Sequence, residues 1–385
     1  MYLRSLGWGG VIATAFVSAA WLGCTPAPLS QSAPLGGGGS SSGDPGTGGG
    51  LLGFDGGGMG PPAADAGGLC GNQIQKLITN PPNVYFVLDT SGSMATPVSG
   101  GSRYQVVQSA ATKVVSNLHL LIKAGAATFP GASDQCAAGH EVFPLTLDDP
   151  TGFNNATKGI SPFGGTPTAS TLQSLVPKLS QLADKTVVVL ATDGGPNCNA
   201  EAACDAGGCM ENIEGCSPGD TCCADNQNCC AANGPAGPLN CVDQQASVDA
   251  VKALAAAGVR VYVIGIPGSQ AYGQVLSAMA LAGGAPLASY PFYYKVDNLD
   301  TIISVLGAAA GAALSCDFTL TDPPMDPSDT NVYLDQTVVL ADPVDGWTWS
   351  ASGVVTLHGA SCAKLQSGAV SQVQIVSGCP TMSAQ

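Results

Sequence analysis

Three short runs of apolar, largely β-branched residues constrain the fold of this 385-residue chain more than any other feature. They read "NVYFVLD" at 83–89, "KTVVVLATD" at 185–193 and "VRVYVIGI" at 259–266. Each run is apolar on both of the faces that a strand presents. Strands of this kind occupy the middle of a parallel sheet that is covered on both sides by helices.

Amphipathic helical patterns separate these runs. Apolar residues recur at helical spacing over 107–118, 172–182 and 248–254, and a last helix is expected near 301–314. Weaker strands are predicted at 124–129, 141–147 and 293–296. The alternation predicts an α/β fold with a doubly wound, mainly parallel, Rossmann-like sheet and right-handed crossovers.

The pattern changes after Cys316. The stretches "NVYLDQTVVL", "GWTWSASGVVTLHG" and "VSQVQIVSGC" cluster β-forming residues between Asp-Pro and Gly turns, without a helical pattern. We therefore expect a main domain at 70–315 and a small antiparallel β module at 316–385.

The N-terminus carries features of an export signal. Arg4 precedes an apolar stretch over 11–21, and the sequence "WLGC" ends at Cys24. This resembles a bacterial lipoprotein signal over 1–24, in which Cys24 becomes lipidated, although Trp21 stands where that signal usually has Leu. An ordinary signal peptide is the alternative. Residues 25–69 are rich in Gly, Ser and Pro and predict a flexible linker, so we expect a lipid-anchored protein of the cell envelope, at the outer membrane or cell surface.

Fifteen cysteines suit an exported chain, in which disulfides persist. Nine lie in a Cys-rich insertion at 198–241 and, with Cys24 set aside, five lie elsewhere, so at least one bridge must leave the insertion if all of these are paired. The pairs expected from topology are Cys136–Cys198, Cys70–Cys316 and Cys362–Cys379. The insertion either shapes a partner surface or only elaborates a loop. A zinc cluster is disfavoured because no His lies among these cysteines.

Oxygen-bearing side chains gather where the central strands end. "DTSGS" follows the first apolar run, "GGTPT" precedes a helix, and "TDGG" ends the second run. Each fragment alone is typical of turns and helix starts. The carboxyl ends of parallel strands meet at one sheet edge, so we expect one oxygen-only site that suits Mg²⁺, with Mn²⁺ or Ca²⁺ possible. Its residues are Asp89, Ser91, Ser93, Thr166 and Asp193.

These residues resemble a von Willebrand factor type A domain with a metal-ion-dependent adhesion site, over about 84–314. That family has Asp-x-Ser-x-Ser, a distant Thr, and a distant Asp within Thr-Asp-Gly. The resemblance implies that Ser91 and Ser93 bind the metal directly and that Thr166 joins them when a partner is bound. It also implies that Asp89 and Asp193 act largely through water, and that an acidic residue of the partner supplies the last ligand.

The expected function is metal-dependent adhesion or protein binding, displayed on the cell envelope through the lipid anchor. A scaffold or assembly subunit of an envelope complex is the alternative, and a metal-dependent hydrolase is a third. We expect no enzyme, since the three His are scattered along the chain and no general base is evident. A net charge of -15 disfavours nucleic acid as a partner.

Overall fold

The computed structural model describes residues 73–75, 77–78, 80–132, 134–215, 227–298, 301–350 and 353–384. The predicted signal segment, the linker, Cys24 and Cys70 lie outside these residues. In the part of the chain that is described, no helix has both the length and the apolar character needed to cross a membrane.

Strands and helices of the described residues alternate through the main domain. The strands, in chain order, are β1 (Gln73–Ile74), β2 (Leu77–Ile78), β3 (Asn83–Asp89), β4 (Pro97–Val98), β5 (Gly101–Ser102), β6 (Lys123–Phe129), β7 (His140–Leu147), β8 (Thr186–Thr192), β9 (Arg260–Gly265), β10 (Tyr294–Lys295), β11 (Asp317–Leu320), β12 (Thr330–Leu334), β13 (Thr337–Val339), β14 (Trp347–Trp349), β15 (Val354–Leu357) and β16 (Val373–Ser377). The helices are α1 (Arg103–Leu118), α2 (Pro150–Thr157), α3 (Thr168–Leu179), α4 (Met210–Glu214), α5 (Gln244–Ala256), α6 (Gly273–Ala282), α7 (Ile302–Gly311) and α8 (Gly359–Gln366).

A six-stranded sheet with the order β10-β9-β8-β3-β6-β7 forms the centre of the main domain. All neighbours in it run parallel except β6 and β7, which are antiparallel. The prediction of a doubly wound, mainly parallel sheet is therefore confirmed. Because β3 and β8 are direct neighbours, the residues that follow them leave the sheet side by side at its carboxyl edge.

The core lies on both faces of this sheet, as the apolar runs predicted. Phe86 faces α1, α2 and α7, whereas its neighbours Tyr85 and Val87 face α3, α5 and α6. Every residue of β3 and of β8 is buried. Burial on both faces explains why these strands carry almost no polar side chain until their carboxyl ends, where the site begins.

The C-terminal module consists of two four-stranded antiparallel sheets, with the orders β1-β16-β12-β13 and β14-β15-β11-β2. An antiparallel module was expected, but two features were not. Strands β1 and β2, placed in the main domain by the sequence, pair instead with strands of the module. Helix α8 lies within the region predicted to contain strands alone, and its sequence "GASCAKLQ" is made mostly of good helix formers.

The disulfides correct two predicted pairs. Cys136 and Cys198 are bonded, as predicted from neighbouring loops at one sheet edge. Cys316, however, is bonded to Cys362, so the pairs Cys70–Cys316 and Cys362–Cys379 are both wrong. The physical reason is α8, which packs against the glycine face of α7 and so brings Cys362 to Cys316, between α7 and β11.

Within the described part of the insertion, Cys204 is bonded to Cys241 and Cys209 to Cys230. The sulfurs of Cys204, Cys230 and Cys241 lie within 4.8 Å of one another. Each belongs to a disulfide, so none of the three offers a thiolate to a metal.

Candidate metal site

The first part of the site is the turn that follows β3. Asp89 is fully buried, and its two carboxylate oxygens accept from different segments: Oδ1 from the backbone N–H of Ser91 at 2.7 Å, and Oδ2 from the hydroxyl of Thr192 at 2.5 Å. Thr192 is the last residue of the neighbouring strand β8. The pairing of β3 with β8 therefore fixes the orientation of the Asp89 carboxylate.

The second part joins this turn to the loop after β8. The hydroxyl of Ser93 donates to Oδ1 of Asp193 at 2.7 Å, and the hydroxyl oxygens of Ser91 and Ser93 are 3.2 Å apart. Asp193 is itself buried. Four of the five predicted residues thus form one hydrogen-bonded cluster at the carboxyl edge of the sheet.

Thr166 reaches the cluster from the loop before α3. That loop is bonded to the turn after β3 through Gly92 N–H to the Gly164 carbonyl at 2.9 Å. A Cβ added to Gly194 would lie 3.5 Å from Thr166 Oγ1 and 3.7 Å from Ser93 Oγ. The two hydroxyls therefore flank the same point of the chain, and the structure brings all five predicted residues together.

The two glycines before Thr166 are required by close packing. Gly164 has φ +72°, and a Cβ on Gly165 would lie 2.5 Å from the sulfur of Cys198. The Cys136–Cys198 bridge thus lies directly beneath the Thr166 loop. The backbone N–H of Thr166 also donates to the side chain of Asn197 at 2.6 Å. Thr166 is consequently held from the side of the insertion as well as from the turn after β3.

The two carboxylates make the site electrostatically strained without a cation. Burial, and then the nearby charge of Asp193, raise the pKa of Asp89 to about 7, against the opposing hydrogen bonds from Thr192 and Ser91. Burial also raises the pKa of Asp193, while Ser93 and Arg103 oppose that rise. Two buried carboxylates with three hydroxyls beside them are a donor set that fits a hard divalent cation, which would offset the cost of burying their charge.

Three contributors escaped the sequence analysis. The guanidinium of Arg103 donates to Oδ2 of Asp193 at 2.6 Å, and Thr192 and Asn197 orient Asp89 and Thr166. Arg103 is one of three arginines in the chain and opens the first helix after the Ser93 turn. The scarcity of arginines in the chain could have drawn attention to Arg103. Spacing along the sequence, however, does not reveal which carboxylate it contacts.

A polar cleft of about 360 Å³ opens above these hydroxyls. One wall is formed by Ser91, Ser93 and Thr166, and the insertion supplies Met210, Glu211, Glu214 and Asn240. Glu214 is held in place by the hydroxyl of Tyr272, 2.5 Å from its carboxylate. The insertion therefore lines the cleft above the site.

Residues 84–196 match the family model described as von Willebrand factor type A domain. This match supports an A domain in that part of the chain. It includes the whole predicted metal-binding set, from Asp89 to Asp193. We use the name A domain below for residues 84–196.

Individual relatives are more distant. Over 128 residues the chain is 30% identical to the "Uncharacterized protein YwmC" of Bacillus subtilis (strain 168), which covers 31% of this chain and 56% of that protein. The pilus adhesin SpaC from Lactobacillus rhamnosus GG superposes with a TM-score of 0.45 and 15% identity, over 78% of this chain and 39% of that one. The vWF domain of the type V pili tip protein Mfa5 from Porphyromonas gingivalis gives a TM-score of 0.42 and 12% identity, over 60% and 94%. The chain thus spans little more than half the length of the Bacillus relative.

Proposed function

We propose that this protein binds a partner through a divalent cation held at the edge of its A domain, with a carboxylate of the partner completing the metal's ligands. The observation that carries the proposal is the cluster of Asp89, Ser91, Ser93, Thr166 and Asp193 below an open cleft. Mg²⁺ is the expected ion, because every donor is oxygen and water can fill the remaining positions.

The roles of the residues follow from their contacts. The hydroxyls of Ser91 and Ser93 border the cleft and would bind the cation directly, and the hydroxyl of Thr166 beside them would join when a partner is bound. Asp89 and Asp193 are already engaged by hydrogen-bond donors and would act mainly through ordered water. The cation would supply the positive charge that attracts an anionic partner group, while the surrounding residues hold it in place.

Binding, rather than hydrolysis, agrees with the residues around the cleft. None of the three His lines it, and its carboxylates at 211 and 214 come from the insertion. Among the described residues at the carboxyl edge of the sheet, the buried oxygen ligands are sufficient for one cation. We therefore propose adhesion or protein binding, with display on the cell envelope through lipidated Cys24.

Mn²⁺ titration of the purified protein tests the cation, and capture of envelope proteins with and without EDTA tests the partner. We expect Mn²⁺ binding that Asp193→Ala abolishes, and capture that EDTA prevents. Partner binding by Asp193→Ala at the wild-type level would contradict the proposal. Detectable turnover of an ester or phosphate substrate that depends on the metal would favour a hydrolase instead.

A further inference from the structure

Arg103 makes a close charged contact within the metal-binding set. Its Nη1 lies 2.6 Å from Oδ2 of Asp193, and the side chain of Asp193 has no exposed surface. The same nitrogen is 3.5 Å from the backbone carbonyl of Ser93. Oδ1 of Asp193 accepts from Ser93 and Oδ2 accepts from Arg103, so each oxygen of this carboxylate already has a donor.

The position of Arg103 is fixed from several sides. A capping box between Ser102 and Gln105 sets the start of α1, and the backbone N–H of Arg103 donates to the carbonyl of Thr96 at 3.0 Å. The guanidinium lies flat against Gly268, where an added Cβ would come within 2.7 Å of Nη1. Gly268 has φ +121°, so this close approach is possible because the residue is glycine. The ion pair with Asp193 is a built feature of the site.

The contact between Arg103 and Asp193 changes the net charge of the metal-binding site. The metal-binding set contains two carboxylates, and Arg103 adds one positive charge beside them. With a divalent cation bound, the metal-binding set and Arg103 together retain one net positive charge, and Glu211 and Glu214 of the insertion add negative charge at the wall of the cleft. Without Arg103, the metal-binding set with its cation would be neutral.

We infer that Arg103 is a positioning residue that weakens cation binding by the isolated protein and makes tight binding depend on a carboxylate from outside. This inference rests on the proposed metal-dependent function. Arg103 orients Asp193 as an acceptor for Ser93 and opposes the cation by like charge. An incoming carboxylate neutralises the remaining positive charge, so metal and partner bind cooperatively.

The test is Mn²⁺ titration of the full chain, with free Mn²⁺ measured by electron paramagnetic resonance, in the presence and absence of acetate as the carboxylate probe. The proteins are wild type, Arg103→Gln, Arg103→Lys and Arg260→Gln. Arg260 is exposed at the start of β9, at the opposite edge of the sheet, so its replacement removes the same charge away from the site. Comparing variants at one acetate concentration cancels the weak binding of Mn²⁺ by acetate in solution.

We expect Arg103→Gln to bind Mn²⁺ about tenfold more tightly than wild type without acetate, and to gain little from acetate. Wild type and Arg260→Gln should share a weaker affinity that acetate increases, and Arg103→Lys should stay near wild type. Metal-free Arg103→Gln should also unfold at a lower temperature, because buried Asp193 loses its partner. A merely structural role would weaken metal binding and stability together, whereas the inference predicts opposite changes.

Two results distinguish a failure of the inference about Arg103 from a failure of the proposed metal-dependent function. If wild type binds Mn²⁺ and Arg103→Gln binds it no more tightly, the inference is overturned and the proposed metal site stands. If none of the four proteins binds Mn²⁺, the proposed function fails and the inference fails with it.

Discussion

Ser93 and Asp193 are a hundred residues apart in the chain, and the hydroxyl of one donates to the carboxylate of the other at 2.7 Å. The contact exists because β3 and β8 are adjacent parallel strands, so the turns that follow them leave the sheet together. The site is therefore a direct product of sheet topology. It depends on a few side chains at two strand ends and on the loop that carries Thr166.

Replacement of Ser93 by Ala should weaken cation binding while leaving the fold intact. The hydroxyl borders the cleft and orients Asp193, so its loss should lower the affinity for Mn²⁺ roughly ten- to a hundredfold. Ser174→Ala is the matched control, since that hydroxyl bonds only to the backbone of its own helix. Mn²⁺ titration measures both. Equal affinities of the two variants would remove Ser93 from the metal-binding set.

Asp89→Asn should stabilise the metal-free protein in a pH-dependent manner. Since the pKa of Asp89 rises from an ordinary 3.8 to about 7 on folding, the folded state binds its proton more tightly than the unfolded chain. The stabilisation that this proton gives the folded state is therefore fully present below about pH 4 and is lost as the pH rises to about 7. Above that pH the free energy of unfolding no longer changes because of Asp89.

The Asn variant does not ionise, so its advantage over wild type should be near zero at pH 4 and reach at most about 4 kcal/mol at pH 8. Urea unfolding at a series of pH values in EDTA measures this difference. A difference that does not change between pH 4 and pH 8 would show that Asp89 ionises normally in the folded protein.

The Cys136–Cys198 bridge should matter for the site as well as for stability. Removing it by a double Cys→Ser change opens a loop of 62 residues, which the chain-entropy model values at about 4 kcal/mol. It also frees the segment that packs against Gly165, next to Thr166. We expect lower stability and weaker Mn²⁺ binding.

The matched control is the double Cys→Ser change at Cys316 and Cys362, a bridge across 46 residues within the C-terminal module. It should cost a similar amount of stability and leave Mn²⁺ affinity unchanged. Calorimetry and Mn²⁺ titration of both variants separate the two effects. Equal effects of the two variants on the affinity would deny the Cys136–Cys198 bridge a role in holding Thr166.

Cys24→Ser should release the protein from the membrane fraction or leave the precursor unprocessed, because attached acyl chains are what would retain it there. Fractionation of cells that express wild type and variant, followed by mass spectrometry of the mature N-terminus, tests this. Wild-type protein found wholly in the soluble fraction after cleavage would favour an ordinary signal peptide.

The central strands and the five oxygen-bearing residues were predictable because each signal is local. An apolar run that ends in Asp89 or Asp193 indicates both a buried strand and the position at which its apolar side chains give way to polar ones. The module was harder, since β1 and β2 are two residues long and pair with strands some 240 to 300 positions away. Helix α8 was hidden among β-forming stretches, and the Cys316–Cys362 bridge depends on it.

Arg103 shows the same limit within the site. Its sequence position at the start of α1 is evident, but its contact with Asp193 depends on how that helix approaches the loop after β8 and on the space left by Gly268. Long-range pairings of this kind follow from packing in three dimensions, which spacing along the chain does not encode.

The most direct test of the central claim is a crystal structure of the protein grown with Mn²⁺, with data collected so that manganese is located by its anomalous scattering. We predict one anomalous peak in the cleft, bound by the hydroxyl oxygens of Ser91 and Ser93, with Asp89 and Asp193 close behind it. A well-ordered site with Asp193 still paired to Arg103 and no manganese beside these hydroxyls would contradict the account.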